Sequence, residues 1–134
     1  MQRGTFTIST MADMELVDIT DKAAAMVRQS SIQSGILHLF NPHTTAGLTI
    51  NEGADPDVCR DILKGLRHIV PRNLDFQHVE GNSPSHIMTL LTGSSLTVQI
   101  DQGSLLLGTW QKIFFCEYDG PRTRSVHWKI VADG

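Results

Sequence analysis

The sequence lacks several features that would place it in a specialised class. Only two of its 134 residues are cysteines, Cys59 and Cys116, and they have no CxxC spacing, so free thiols are expected rather than a disulfide framework. No apolar run approaches the roughly 20 residues needed to cross a bilayer, and the N-terminal MQRGTFTIST lacks the basic and then apolar build of a signal peptide. We therefore expect a cytoplasmic protein.

Positive charge is also scarce. There are 11 Lys and Arg against 14 Asp and Glu, a net charge of -3 with a pI of about 6.0, and no basic run interleaved with aromatics. This composition disfavours nucleic-acid binding and gives no sign of a membrane-binding segment. The 134 residues suit one hydrophobic core, so a single domain over 1–134 is expected.

Hydrophobic periodicity predicts both strands and helices. Strands are predicted over 3–9, 14–17 (as a hairpin partner of the first), 35–40, 96–100, 104–118 with a bulge at Gly108, and 123–131; helices are predicted from about 20 to before 35, over 56–69 and from 83 to about 92. The last three strands are expected to pair consecutively. The sum is an α+β fold with a mainly antiparallel sheet curling toward a barrel and two or three helices.

The densest polar segment is 41–57, NPHTTAGLTINEGADPD. Its centre alternates apolar and small residues, which predicts a short strand with polar groups at both ends. At the first end, His43 is followed by Thr44 and Thr45, whose hydroxyls can orient an imidazole or bind an anion. At the second end are Asn51, Glu52 and Asp55.

Helix capping offers an alternative role for part of this segment. Asp55 precedes Pro56, an arrangement typical of an N-cap followed by the first helical residue. The Asp55 carboxylate would then satisfy amides at the helix end rather than bind a ligand. Capping explains neither His43 nor Glu52.

Three histidines occur in irregular or helix-starting contexts: His43, His78 and His86. Loops on a rigid scaffold often present ligands, and three imidazoles plus water are the composition of an open zinc site. No HxxxH or HExxH spacing supports this, however. A metal centre and an anion-binding site therefore both remain open.

A second polar cluster lies in residues 108–122, GTWQKIFFCEYDGPR. Glu117 and Asp119 share one face of the predicted strand, and Arg122 follows in a turn. A buried Glu117 must find a partner, and we expect a histidine ring, a metal-bound water or Arg122. A surface salt bridge would explain Asp119 and Arg122 but not Glu117.

Three segments, PHTTAGLTINEGADPDV, HVEGNSPSHI and GSSLTVQIDQGSLLLGTWQKIFFCEYDGPR, resemble the YjbQ-like family, also called secondary thiamine-phosphate synthases. The resemblance covers Phe40 to Arg122. It implies a compact α+β domain, a homotrimer and a pocket near the subunit interface. It also implies the joining of a hydroxymethylpyrimidine diphosphate to a thiazole phosphate, with loss of diphosphate.

The resemblance carries roles onto individual positions of this chain. The implied catalytic residues are Glu52, Trp110, Gln111, Glu117, Asp119 and Arg122. The implied substrate-binding residues are Thr44, Thr45, Asn51, Asp55 and Asn82, and the metal ligands are His43, His78 and His86. Met88 and Lys112 depart from the family pattern, with Met88 standing where a lysine is common.

Three functions are therefore expected in competition. The first is the transferase, using a divalent metal, either zinc or magnesium held by the diphosphate. The second is a non-catalytic module that binds a phosphorylated metabolite or a metal. The third is a hydrolase with a zinc-bound water and Glu52 or Glu117 as general base.

Overall fold

The computed structural model describes residues 2–134 and contains eight strands and three helices. In chain order these are β1 (Gln2–Ser9), β2 (Glu15–Asp18), α1 (Thr20–Ser30), β3 (Gly35–Phe40), β4 (Ala46–Glu52), α2 (Pro56–Ile69), α3 (Ser83–Thr92), β5 (Ser95–Asp101), β6 (Ser104–Leu105), β7 (Gln111–Glu117) and β8 (Thr123–Ala132).

The strands form two antiparallel sheets. Sheet A has the order β1-β8-β3-β5-β6, and sheet B has the order β2-β7-β4. In sheet B, Ala46 pairs with Glu117 at one end and Glu52 with Gln111 at the other. This register places the two ends of the polar segment 41–57 at opposite ends of sheet B.

The main core lies between the sheets and includes α1. Alternating strand residues such as Leu37, Leu39 and Ile130 meet Phe115 of sheet B and Ala23 of α1, and all five are fully buried. Apolar residues at every second position reach the core together because successive strand side chains point to opposite faces of a sheet. One face of each sheet is thereby committed to the core.

The other face of sheet B is covered by α2 and α3. A second cluster joins Phe114 and Cys116 of β7 to Met88 of α3, with Leu63 and Leu66 of α2 packed against it. Both cysteines are free, as expected, and burial raises the pKa of Cys116 to about 12. Cys116 is therefore an unreactive thiol at neutral pH.

Three sequence-based strand predictions are wrong in their pairing. The last three predicted strands do not pair consecutively, because β7 pairs with β2 and β4 whereas β8 pairs with β1 and β3. The segment after Met14 is a strand, but β2 pairs with β7 in sheet B rather than forming a hairpin with β1. The predicted long strand over 104–118 is two strands in different sheets, joined by a connection around Gly108. Apolar alternation identifies a strand but does not specify its partner, which depends on contacts distant in sequence.

The expected fold class is confirmed: the chain is α+β, with curled antiparallel sheets and three helices. On one face of the last strand, Val126 and Ile130 are buried in the core and Trp128 packs against it. No helix within residues 2–134 is both long and apolar enough to span a membrane.

Candidate functional site

A pocket of about 430 Å³ opens where the β3–β4 turn, the start of α3 and the start of β8 meet. Its lining is almost entirely polar and consists of Pro42, His43, Thr44, Thr45, His78, Glu80, Asn82, His86, Arg122 and Arg124. We call it the His43 pocket. It brings together the first end of the segment 41–57, the loop before α3 and the turn after β7.

Asn41 fixes the turn that presents His43. Its side-chain oxygen accepts a hydrogen bond from the His43 amide at 3.1 Å, while its Nδ2 donates to the carbonyl of Ala46 at 2.6 Å. Asn41 is almost fully buried, so these bonds form away from competing water. An Asn side chain that replaces backbone partners in this way stabilises a tight turn.

The imidazole of His43 is held in one tautomer. Its Nε2 accepts a hydrogen bond from the Ser125 amide at 2.9 Å, so in the neutral ring the proton is on Nδ1. Burial, together with the charge of Arg124, lowers the pKa of His43 below its usual 6.5. At neutral pH the ring is uncharged and offers one donor, Nδ1–H.

A buried ion pair lies beside this histidine. Arg124 Nε donates to Glu117 Oε1 at 2.9 Å, and Arg124 Nη2 donates to Glu117 Oε2 and, at 2.9 Å, to Thr45 Oγ1. The exposed fraction is 4% for Arg124 and 0% for Glu117. Arg124 Nη1 forms no hydrogen bond within residues 2–134, although Arg124 lines the pocket.

The surroundings of Glu117 keep it ionised. Burial alone would raise the pKa of Glu117, but hydrogen bonds from Arg124, Thr10 and the Asp119 amide, with the charge of Arg124, lower it. Both carboxylate oxygens are engaged. None of the three partners expected from the sequence is the observed one. Glu117 pairs instead with Arg124 of β8, which is the next strand along the chain but belongs to the other sheet.

Asp119 and Arg122 form the partly exposed rim. Arg122 donates to the Asp119 carboxylate at 2.8 Å and to its carbonyl at 2.7 Å. Asn82 Nδ2 donates to the same carboxylate at 2.8 Å, which connects the start of α3 to the turn after β7. Asn82 Oδ1 is buried without a hydrogen-bond partner among the described residues, so this corner has an acceptor that awaits a donor.

The three candidate metal ligands line one pocket but do not form a metal centre. The rings of His78 and His86 contact each other edge to face, with centroids 5.5 Å apart. Residues 2–134 contain no group of three or more His, Cys, Asp or Glu side chains placed to hold a metal ion. The expectation of a zinc-binding pocket is wrong, and His43 supplies a reason: Ser125 occupies its Nε2 lone pair, while Nδ1 carries the proton.

The remaining sequence-predicted residues lie at the other end of sheet B. Seven residues of β4 separate the two ends, about 20 Å at the usual rise per residue. Asn51, Glu52, Asp55, Trp110 and Gln111 are found at this end. They do not line the His43 pocket.

Local hydrogen bonds account for several of these side chains. Asp55 caps α2 by accepting from the Asp57 amide at 2.9 Å, which confirms the capping alternative. Glu52 accepts from the Asp55 amide at 2.9 Å, and Gln111 accepts from the Gly108 amide at 2.8 Å. Trp110 is 62% exposed.

The two departures from the family pattern do not alter the charge of the His43 pocket. Met88 is fully buried in the cluster under α3. Lys112 packs against Gly53 near the Glu52 end, where a Cβ on Gly53 would lie 2.1 Å from Lys112 Cγ. Lys112 therefore does not replace a missing lysine at the pocket.

Sequence reasoning missed Asn41, Thr10, Glu80 and Arg124. One signal for Arg124 was present: it stands two residues before Val126 and therefore on the inward face of β8. An arginine on an inward face requires a buried partner, and Glu117 was the buried carboxylate without one. Nothing in the local sequence marks Thr10 or Asn41.

Comparison with known proteins places the chain in a family. A family model described as UPF0047 protein YjbQ-like matches residues 4–133. UPF0047 protein MJ1081 of Methanocaldococcus jannaschii is 49% identical over 96% of this chain and 93% of its own length. UPF0047 protein YugU of Bacillus subtilis is 44% identical over 95% and 97%. The chain belongs to the UPF0047, or YjbQ-like, family.

Solved structures agree with this assignment. An uncharacterised YjbQ/UPF0047 protein of Clostridium acetobutylicum superposes with a TM-score of 0.92 at 49% identity, covering 95% of this chain and 98% of that one. A YbjQ-like protein of unknown function from Sulfolobus solfataricus gives 0.93 at 31% identity, covering 98% and 97%.

These findings correct the functional expectation. The relatives bear only the UPF0047 designation, and the matched Sulfolobus structure is described as of unknown function. Nothing among them supports thiamine-phosphate synthesis, a role in thiamine biosynthesis or transferase activity. Because the described residues contain no metal-binding group, the zinc-hydrolase alternative is also wrong. The identity of the family was predicted correctly, but its activity was not.

Proposed function

We propose that the chain binds a small phosphorylated metabolite in the His43 pocket. The observation that carries this proposal is the state of Arg124. Two of its three guanidinium nitrogens are held by Glu117 and Thr45, while Nη1 has no partner within residues 2–134. A guanidinium fixed before binding loses little side-chain entropy when it donates to a phosphate oxygen.

Other donors of the pocket suit the same group. His43, Thr44 and Arg122 line the pocket, and each carries a hydrogen-bond donor: Nδ1–H in His43, a hydroxyl in Thr44 and a guanidinium in Arg122. A phosphate has several acceptor oxygens and no strong donor at neutral pH apart from a residual hydroxyl. Several convergent donors therefore favour a phosphate ester over a neutral molecule of the same size.

The positive charges of the pocket are largely cancelled by neighbouring carboxylates, so a ligand would be held mainly by individual hydrogen bonds. Arg124 and Arg122 are each paired with a carboxylate, Glu117 and Asp119, and Glu80 adds a negative charge at the rim. Recognition must then come from placed donors rather than from excess positive charge. We expect specificity for the phosphate and only modest affinity.

Titration with phenyl phosphate and with phenol, followed by NMR of the histidine rings, tests the proposal. Phenyl phosphate should shift the resonances of His43 and His86, and phenol should not. Arg122→Gln should weaken the binding of phenyl phosphate by about tenfold, since it removes a charged donor. Arg60→Gln, which removes an exposed arginine of α2, is the matched control. Equal shifts with both compounds would reject phosphate recognition.

We also propose that the chain assembles as a homotrimer, as the resemblance implies. The support is that large apolar side chains remain exposed in a single chain, notably Leu90 at 80% and Trp110 at 62%. Aromatic side chains such as tryptophan are enriched at subunit contacts relative to the rest of a protein surface. In a trimer, motif residues about 20 Å apart within one chain can meet across a boundary between copies.

Light scattering at micromolar concentration measures this assembly directly. A mass of three chains is expected, and Leu90→Asp or Trp110→Asp should lower it. A monomer mass for the unmodified chain would refute the trimer.

Two further expectations remain proposals. We propose that the protein is cytoplasmic, and that a divalent cation enters the His43 pocket together with the phosphorylated ligand.

A further inference from the structure

The outer face of sheet A carries a second pocket, of about 510 Å³, that the proposed function does not use. Strand pairing places Thr5 of β1 beside His127 of β8, which in turn pairs with Phe40 of β3. The adjacent row contains the pairs Arg3–Lys129 and Lys129–His38. Gly4 and Trp128 complete the lining.

Both histidines of this face are oriented by threonines on neighbouring strands. Thr5 Oγ1 lies 2.8 Å from His127 Nδ1, and Thr97 Oγ1 lies 3.1 Å from His38 Nδ1. Each imidazole therefore has one nitrogen engaged within the sheet, which leaves Nε2 for another molecule. Orientation of this kind reduces the freedom that a ligand would otherwise have to remove.

The two rows differ in chemistry. In the first row, the rings of Phe40 and His127 are stacked, with centroids 6.4 Å apart and planes 14° apart, and the Phe40 side chain is 43% exposed. In the second row, Arg3 and Lys129 have no ion-pair partner among the described residues. No Asp or Glu lines the pocket, although acidic residues outnumber basic ones in the chain.

We propose that this outer-face pocket binds a small molecule that joins a flat ring to an anionic group, of the nucleoside monophosphate class. The ring would lie on Phe40 and His127, since stacking on aromatic side chains tolerates many ring types. The anion would lie over Arg3, Lys129 and His38, which offer charged or polar donors. The row spacing of a sheet places these two parts of the ligand side by side.

This pocket is independent of the His43 pocket. The two share no lining residue, and Ser125, whose amide binds His43, is two positions before His127 on β8. A ligand of the outer face would therefore act on a different set of histidines. This difference allows one titration to separate the two proposals.

The experiment is a titration of the full chain with adenosine 5′-monophosphate, adenosine and inorganic phosphate, followed by NMR of the six histidine rings. Adenosine 5′-monophosphate should shift His127 and His38 and bind more tightly than either fragment. Lys129→Gln should weaken its binding by about tenfold. Phe40→Leu should weaken the binding of adenosine 5′-monophosphate less than Lys129→Gln does, and it should reduce the preference for adenosine 5′-monophosphate over inorganic phosphate.

Arg122→Gln is the matched control, since it removes a cation from the His43 pocket only. Selective loss in Lys129→Gln supports the outer-face pocket whatever happens at the His43 pocket. Shifts confined to His43 and His86, equal weakening by both variants, or no shift at millimolar concentration would each overturn it. A fall in the light-scattering mass of Phe40→Asp would also overturn it, because a second copy of the chain would then cover the face.

Discussion

The two ends of sheet B carry equally rich polar sequences but have different surroundings. At one end, Glu117 is fully buried and bonded to Arg124, a residue of the other sheet. At the other, Glu52 accepts a hydrogen bond from a backbone amide three residues away. Density of polar residues therefore does not distinguish a pocket from a helix cap. Burial, together with side-chain hydrogen bonds between the two sheets, distinguishes them.

The largest expected effect comes from the buried end. Arg124→Met leaves the Glu117 carboxylate buried without its cation, which should lower the free energy of unfolding by about 3–5 kcal/mol. Urea unfolding measures the change. The double variant Arg124→Met with Glu117→Leu should recover most of the loss, because an apolar pair of similar volume is tolerated. A cost below about 1 kcal/mol for the single variant would mean that the pair stabilises little.

A smaller effect is expected at Thr10, which supports the same pair. Its hydroxyl donates to Glu117 at 2.7 Å and accepts from the Arg122 amide at 2.8 Å. Thr10→Val should cost about 1.5–3 kcal/mol of unfolding free energy, the range for hydrogen bonds to charged groups. Thr7→Val, at an exposed position of β1, is the control and should change little. If Thr10→Val and Thr7→Val lowered the unfolding free energy by similar amounts, the hydroxyl of Thr10 would have no special role in supporting the ion pair.

The Glu52 end should respond as an ordinary helix terminus. Asp55→Ala removes the N-cap of α2 and should cost about 1 kcal/mol in urea unfolding. Asp61→Ala, farther along the same helix and also exposed, controls for loss of charge. A loss as large as that of Arg124→Met would make the two ends equivalent and contradict the comparison.

The smallest expected effect is the pH response of His43. Its lowered pKa means that the unfolded chain binds a proton more readily than the native one. Its contribution to stability is therefore complete above about pH 6.5 and decreases as pH falls toward the native pKa. Urea unfolding between pH 7 and pH 5, measured for the unmodified chain and for His43→Asn, isolates the contribution of His43 to the pH dependence of the unfolding free energy. Identical pH slopes would show that His43 is not perturbed.

Local sequence features predicted individual elements well. Strand β3 has the bounds predicted from its short apolar run, and helix α2 has the bounds predicted from its hydrophobic periodicity and from Asp55 followed by Pro56. The irregular or helix-starting contexts of His43, His78 and His86 predicted the three histidines of the His43 pocket, and the family resemblance implied the same three. The pairing of β2 and β7, and the division of 104–118 between sheets, could not be predicted in this way. These depend on which strands meet, and that is decided by packing across the whole core.

The buried ion pair shows the same limit within the site. The sequence indicates that Glu117 needs a partner, but the motif that contains Glu117 ends at Arg122 and therefore favours Arg122 over Arg124. The side-chain period of a strand would have favoured Arg124, since Arg122 falls in the turn before β8. Register along a strand was more informative here than closeness in sequence.

The five residues between Glu117 and Thr123 also constrain how the chain can vary in length. They join β7 of one sheet to β8 of the other and set which residue of β8 faces inward at Glu117. One inserted residue that shifted β8 by one position would turn Arg124 outward and bring His127 and Lys129 to the core side. Insertions and deletions should therefore be tolerated around the exposed Leu106 but not in this turn, whose length is as much a part of the site as any side chain.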